Sequence, residues 1–173
     1  MFSLYIHKHM NNIKVFENDL PDDLDLSNEK FIGLDNEALG LVLGRDPLTL
    51  VQLGLESKNF YLVKVNRETF KAPNLVKVLS NSNIQFIMHY ARQDLLWLKY
   101  HLKVQPKNIF CTKVASKIAR TASSFHGYKD LVKELCGKDI SKKEQQSDWG
   151  NPNLSEKQIK YALSDVTHLI HIY

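Results

Sequence analysis

The sequence predicts an α/β fold: a mixed sheet of three antiparallel strands followed by parallel strands, flanked by helices. Three observations point to it. Strand-like segments joined by hairpin-length links fill the early part of the chain. From Pro73 onward, helix-like and strand-like segments alternate, as crossover connections between parallel strands require. The 173 residues, 43% hydrophobic and 24% charged, suffice for one well-filled core, so a single domain over residues 1–173 is expected.

In chain order, residues 1–12 read as an N-terminal extension, because Met10 stands just before the first plausible strand, Ile13–Phe16. Asp19–Asn28, with its Asp, Pro and Ser, is a loop. Phe31–Asp35 is the first core strand. Leu39–Pro47 contains Gly40, Gly44 and Pro47 and is a turn or loop. Leu48–Leu55 and Phe60–Val65 are strands separated by Glu56–Asn59, and Thr49, Val51, Leu53 and Leu55 share one face of the first. Pro73–Leu79 opens on proline and carries its apolar residues at helical spacing. Ile84–Met88 is a strand and Ala91–Leu102 a helix with apolar residues at 91, 95, 98 and 102. Ile109–Cys111 is a short last strand. Thr112–Ala122 and Tyr128–Cys136 are helices, with Gly137 stopping the second. Lys138–Asn153 is a polar loop, and Leu154–Tyr173 is a final helix capped by Ser155. By analogy, this order of elements resembles the ribonuclease-H-like fold.

The net charge of +4 suits a partner with a few negative charges rather than a long duplex. Cys111 and Cys136 match no paired-thiol metal spacing, so free thiols in a reducing, cytoplasmic setting are expected. No apolar run approaches a membrane span.

The chemistry begins at FIGLDNE, Phe31–Glu37, an apolar run ending in two carboxylates. Asp35 and Glu37 lie two apart on a strand and project to the same side. Two anions held there repel each other and burial raises their pKa, a penalty that a hard divalent ion such as Mg²⁺ or Mn²⁺ removes. Taken alone, Asp-x-Glu equally suits a solvated strand-to-loop junction. Asp94 borders the apolar stripe of its helix, where an acid also complements the macrodipole. Tyr161 and Asp165, four apart, share a face of the last helix, beside its apolar stripe. They serve either as a surface pair or as part of a site. His168 and His171 lack the further ligands of a zinc centre. Lys113, Lys117 and Arg120 form a basic stripe that is either solvated or drawn to phosphate or another subunit.

Asp35-x-Glu37 on a strand, Asp94 following His89-Tyr90-Ala91-Arg92-Gln93, and Tyr161-x-x-x-Asp165 on a late helix resemble the DEDDy 3′–5′ exonucleases. That group includes RNase D and the exonuclease domains of proofreading polymerases. The likeness runs closer still to the nano-RNase C family of small RNase D-like enzymes, through NDLPDDLDL, LDNEALGL, APNLVKVLS, CTKVASKIART, HGYKDLVKEL, ISKKEQQSDW and YALSDVTHL. Asn36 and Ala38 stand where that pattern usually has threonines, and relatives continue through a further C-terminal stretch beyond the position of Tyr173.

The resemblance implies a metal-dependent 3′–5′ exoribonuclease acting on very short RNA, most of all dinucleotides, and releasing nucleoside 5′-monophosphates by a two-metal-ion mechanism. It implies Asp35, Glu37, Asp94 and Asp165 as ligands of two Mg²⁺ or Mn²⁺ ions, with Asp35 bridging them, and Tyr161 orienting the attacking water. Leu39 is expected to wedge against the bases, with Gly40, His89, Gln146 and Ser147 lining the substrate site. Alternatively, Leu39 is a buried turn residue. Relatives assemble as rings, so a homo-oligomer, an octameric ring, is expected. The competing functions are trimming of longer RNA and nucleic-acid binding without catalysis.

Overall fold

Residues 12–173 are described in the computed structural model; the extension read over residues 1–12 lies outside the described residues save for Asn12. Six strands form one sheet in the order β1-β4-β3-β2-β5-β6. They are β1 (Ile13–Glu17), β2 (Phe31–Ala38), β3 (Leu48–Leu55), β4 (Phe60–Lys64), β5 (Gln85–Met88) and β6 (Ile109–Cys111). Hairpin-length links make β2, β3 and β4 antiparallel neighbours. The helices α1 (Pro73–Leu79) and α2 (Arg92–His101) occupy the crossovers that bring β5 parallel to β2 and β6 parallel to β5. β1 runs parallel to β4 at the far edge, a pairing that reading from sequence leaves unassigned.

Strand alternation divides the core into two layers. Ile32, Leu34, Val51, Leu53, Leu55, Tyr61, Val63, Phe86 and Met88 point to one face and bury Leu75, Leu79, Trp97 and Leu98 of α1 and α2. The opposite face carries Leu50, Leu62 and Ile87. It is covered by α4 (Tyr128–Cys136), α5 (Glu156–Thr167) and α6 (Leu169–Ile172), with α3 (Thr112–Ala119) following β6. All eight residues of β3 are buried, which explains why this strand reads as a nearly continuous apolar run.

Glycine permits the closest approach of helix to sheet. A Cβ on Gly33 or Gly54 would sit 3.0 Å from the backbone oxygen of Val166, so bare strand backbone at these two positions lets α5 lie directly on β2 and β3.

Three elements differ from expectation. β2 runs on to Ala38, because Asp35, Asn36 and Glu37 stay paired with Gln52, Val51 and Leu50 until a register shift after Glu37. The helix expected over Thr112–Ala122 ends at Ala119, where the Arg120 guanidinium turns back to the Ser116 hydroxyl and the Phe125 carbonyl. The final helix is broken at His168. The Tyr128 hydroxyl enters the helical ladder there: it donates to the Ser164 carbonyl at 3.0 Å and accepts from the His168 N–H at 3.3 Å. A side chain inserted between i and i−4 partners bends a helix, and the bend seats Leu169 of α6 against Gly33.

Ser155 caps α5 as expected, its hydroxyl accepting from the Gln158 N–H, while the Gln158 side chain accepts from the Ser155 N–H. Gly137 ends α4 in the left-handed region, at φ 63°. Cys111 and Cys136 are free thiols. Among the described residues, no helix is long and apolar enough to cross a membrane.

Candidate active site

The inner face of β2 reads Gly33, Asp35, Glu37, and that of β3 reads Leu50, Gln52, Gly54. The glycines admit α5, and the helix brings Tyr161 and Asp165 over the two strand carboxylates. One carboxylate oxygen from each of Asp35, Glu37 and Asp165 lies within 4.8 Å of the other two. Asp94 arrives from the other layer, in the first turn of α2, just past the end of β5. The Asn36 side-chain amide donates to the Asp94 carbonyl at 3.2 Å and ties this turn to β2. Asp94 is 8% exposed, and its charge is the strongest of those acting on Asp35. The four acids thus converge at the carboxyl ends of two parallel strands, where open α/β sheets place their sites.

All four carboxyls titrate above their ordinary range. Burial, followed by repulsion from Asp94, Asp165 and Glu37, pushes Asp35 well up. Burial raises Glu37 to about 9, with Asp165 and Asp94 adding to the shift and the Gln52 amide opposing it. Burial also raises Asp94 and Asp165, each to about 7. In Asp165 the Tyr161 hydroxyl and the Lys142 charge work against that rise. None of the ion pairs among the described residues includes any of the four. A cluster of hard oxygen donors, crowded and without a protein cation paired to it, fits Mg²⁺ or Mn²⁺ better than a softer metal.

Burial, then Asp165 and the strand acids, raises the Tyr161 phenol above its usual range, so it stays protonated. His89 is half-buried at the end of β5. Burial, then Lys113 and Lys142, lowers it to about 4, leaving the ring neutral. The Thr112 hydroxyl spends its hydrogen on the Met88 carbonyl, so His89 Nδ1, 2.9 Å away, must be the donor between them. That leaves Nε2 as an acceptor.

The loop Leu39–Pro47 is organised by Asp46. Its carboxylate accepts from the Val42 N–H and from the Arg45 guanidinium, and these contacts hold its pKa at about 2. The Asp46 carbonyl accepts from the Trp97 indole N–H of α2. Gly40 is a steric necessity, since a Cβ there would meet the Asp46 carboxylate at 2.3 Å. The loop presents Leu39 at 42% exposure, beside Gly150 and Arg67, instead of burying it as an ordinary turn residue. Ser147 accepts from Gln158 at 3.2 Å and braces the start of α5. Gln146 is exposed. Trp149 packs on Tyr161, ring centroids 5.9 Å apart.

The basic stripe on α3 does not act as a unit. Arg120 is bound by Glu134, and Lys113 lies 4.0 Å over the Tyr90 ring. Three groups at the site escaped the sequence reading: Lys142, Tyr128 and Gln52. For Gln52 the signal is a lone amide within the apolar strand LTLVQLGL; the other two are unmarked by any spacing.

A family model described as 3′–5′ exonuclease matches residues 16–173. The chain is 34% identical over 148 residues to Ribonuclease D of Gluconacetobacter diazotrophicus, covering 86% of this chain and 37% of that enzyme. It therefore spans little more than a third of that relative's length. The structure of Brucella melitensis NrnC bound to pGG superposes with a TM-score of 0.87 at 39% identity, over 93% of this chain and 78% of that one. Brucella melitensis NrnC with bound Mg²⁺ gives 0.86 at 38% identity over the same shares.

Proposed function

Because the chain belongs to the 3′–5′ exonuclease family as an RNase D-like member, we propose that its substrate is very short RNA, dinucleotides above all. Hydrolysis would release nucleoside 5′-monophosphates. The observation that carries this reading is the convergence of Asp35, Glu37 and Asp165 within 4.8 Å, with Asp94 acting on the same cluster. The similarity to a structure bound to pGG supports the short substrate.

Asp35, Glu37, Asp94 and Asp165 would hold two divalent ions, Mg²⁺ or Mn²⁺. When bound, such ions make the attacking water more acidic and neutralise charge on the departing 3′ oxygen. The side chains do the rest. Tyr161, kept protonated, orients the water by hydrogen bonding and does not act as the base. His89 offers Nε2 as an acceptor to a substrate hydroxyl. Leu39 sits on a braced loop and rests against a base, as apolar wedges do at separated base steps. Gly40 keeps that loop closed. Gln146 is free to reach substrate, and Ser147 holds the neighbouring loop in place.

Assembly as a homo-oligomer, up to a ring, is part of the same reading. It is supported by α3, which buries Thr112 and Ser116 and leaves Val114 and Ile118 54% and 73% exposed, an apolar face without a partner among the described residues.

The test pairs a labelled dinucleotide with a labelled seven-mer. Faster cleavage of the dinucleotide is expected, and preference for the seven-mer would retire the short-substrate reading in favour of general trimming. Asp35→Asn should lose hydrolysis by more than the roughly 100-fold typical of outer-sphere changes. Chelated wild type should recover with Mn²⁺. A binding module without catalysis would show no difference between the two proteins.

A further inference from the structure

Gln52 is a polar side chain at the centre of the sheet's inner face, flanked along its own strand by Leu50 and Gly54. It is 0% exposed, and neither its amide nitrogen nor its amide oxygen makes a well-formed hydrogen bond. Leucine would suit its surroundings, since Leu50 and Leu62 lie on the same face. A buried amide left without partners costs stability, so its presence calls for a purpose. The strand register supplies one. Gln52 lies directly opposite Asp35, while Glu37 pairs with Leu50, the next residue of β3 on that face. Gln52 and Glu37 are therefore diagonal neighbours, within reach of long side chains.

We infer that Gln52 is a positioning residue, whose amide N–H groups turn to the Glu37 carboxylate and fix its orientation for divalent-ion binding. Glu37 needs such help more than Asp35, because its longer side chain has an extra rotatable bond to immobilise. An amide suits the task better than a lysine: it donates hydrogen bonds without bringing a charge that competes with the ion. This role rests on the reading of the four acids as a metal site.

The experiment compares wild type with Gln52→Met, which keeps length and flexibility but has no N–H donor. Mn²⁺ affinity is measured by calorimetry, melting temperature without metal, and kcat and KM on a dinucleotide. The metal-free melting temperature should stay level or rise. Mn²⁺ affinity should fall by at least about 10-fold, and kcat should fall while KM changes by less than about twofold. In a Glu37→Gln background, Gln52→Met should add no further loss of Mn²⁺ affinity. Gln52→Leu carries the same expectations should the methionine fail to pack. Unchanged Mn²⁺ affinity and kcat in a folded variant, or an equal loss in the Glu37→Gln background, would overturn the positioning role alone. Wild type that neither binds Mn²⁺ nor cleaves would sink the functional reading, and this inference with it.

Discussion

Single side chains set the pH response. Asp35, Glu37, Asp94 and Asp165 hold their protons more tightly in the fold than in the unfolded chain. Between the ordinary carboxyl range near pH 4 and the folded values of about 7 to 9, the native state therefore binds more protons. Its stability is full below that window and declines as pH rises through it. Metal-free protein should melt lower at pH 8 than at pH 5, by roughly 10 °C at the 2–4 °C per kcal/mol typical of this size. Mn²⁺ should restore most of the difference at pH 8 and release protons on binding, seen as a buffer-dependent heat. A flat melting profile without metal would mean that the four acids are not crowded together. Leu39 gives a second expectation at this scale: Leu39→Ala should raise KM for dinucleotides several-fold with kcat nearly kept, and an unchanged KM would remove the wedge. The acids and Tyr161 are legible in the sequence because their spacing on a strand or helix fixes which side they face. Gln52 is not, because its meaning comes from a residue on another strand, and register is written in no single segment.

At the level of elements, the site exists because a helix lies flat on two strands. Gly54 makes this possible, and a methyl there would press on the backbone oxygen and Cβ of Val166, atoms that cannot swing aside. Gly54→Ala should cost about 1–3 kcal/mol and lift Asp165 away from Asp35. Activity should fall by at least about 10-fold, in line with the sensitivity of such sites to small displacements. A variant of wild-type melting temperature and kcat would mean that α5 does not depend on this approach. Periodicity and capping residues make most elements readable. The kink at His168 is not readable, because the group that causes it, the Tyr128 hydroxyl, belongs to a different helix. The extension of β2 through Glu37 is likewise decided by pairing with β3 and not by its own composition.

For the molecule as a whole, link lengths make the mixed sheet legible: short connections give antiparallel neighbours, and helical crossovers give parallel ones. The pairing of β1 with β4 spans too much chain to be read that way. The outward apolar face of α3 carries the assembly expectation. The wild-type particle should have a mass several times that of the chain by light scattering, and Ile118→Lys should shift it toward smaller species. A monomeric wild type would end that expectation. The sheet also ties assembly of the acid cluster to the order of synthesis. Glu37 is made early and Asp165 late, with about 130 residues between them, roughly 6 to 26 seconds of translation. A nascent chain carries its first acids long before the last can join them. The four-acid cluster therefore cannot assemble until α5 has been made and laid on β2 and β3.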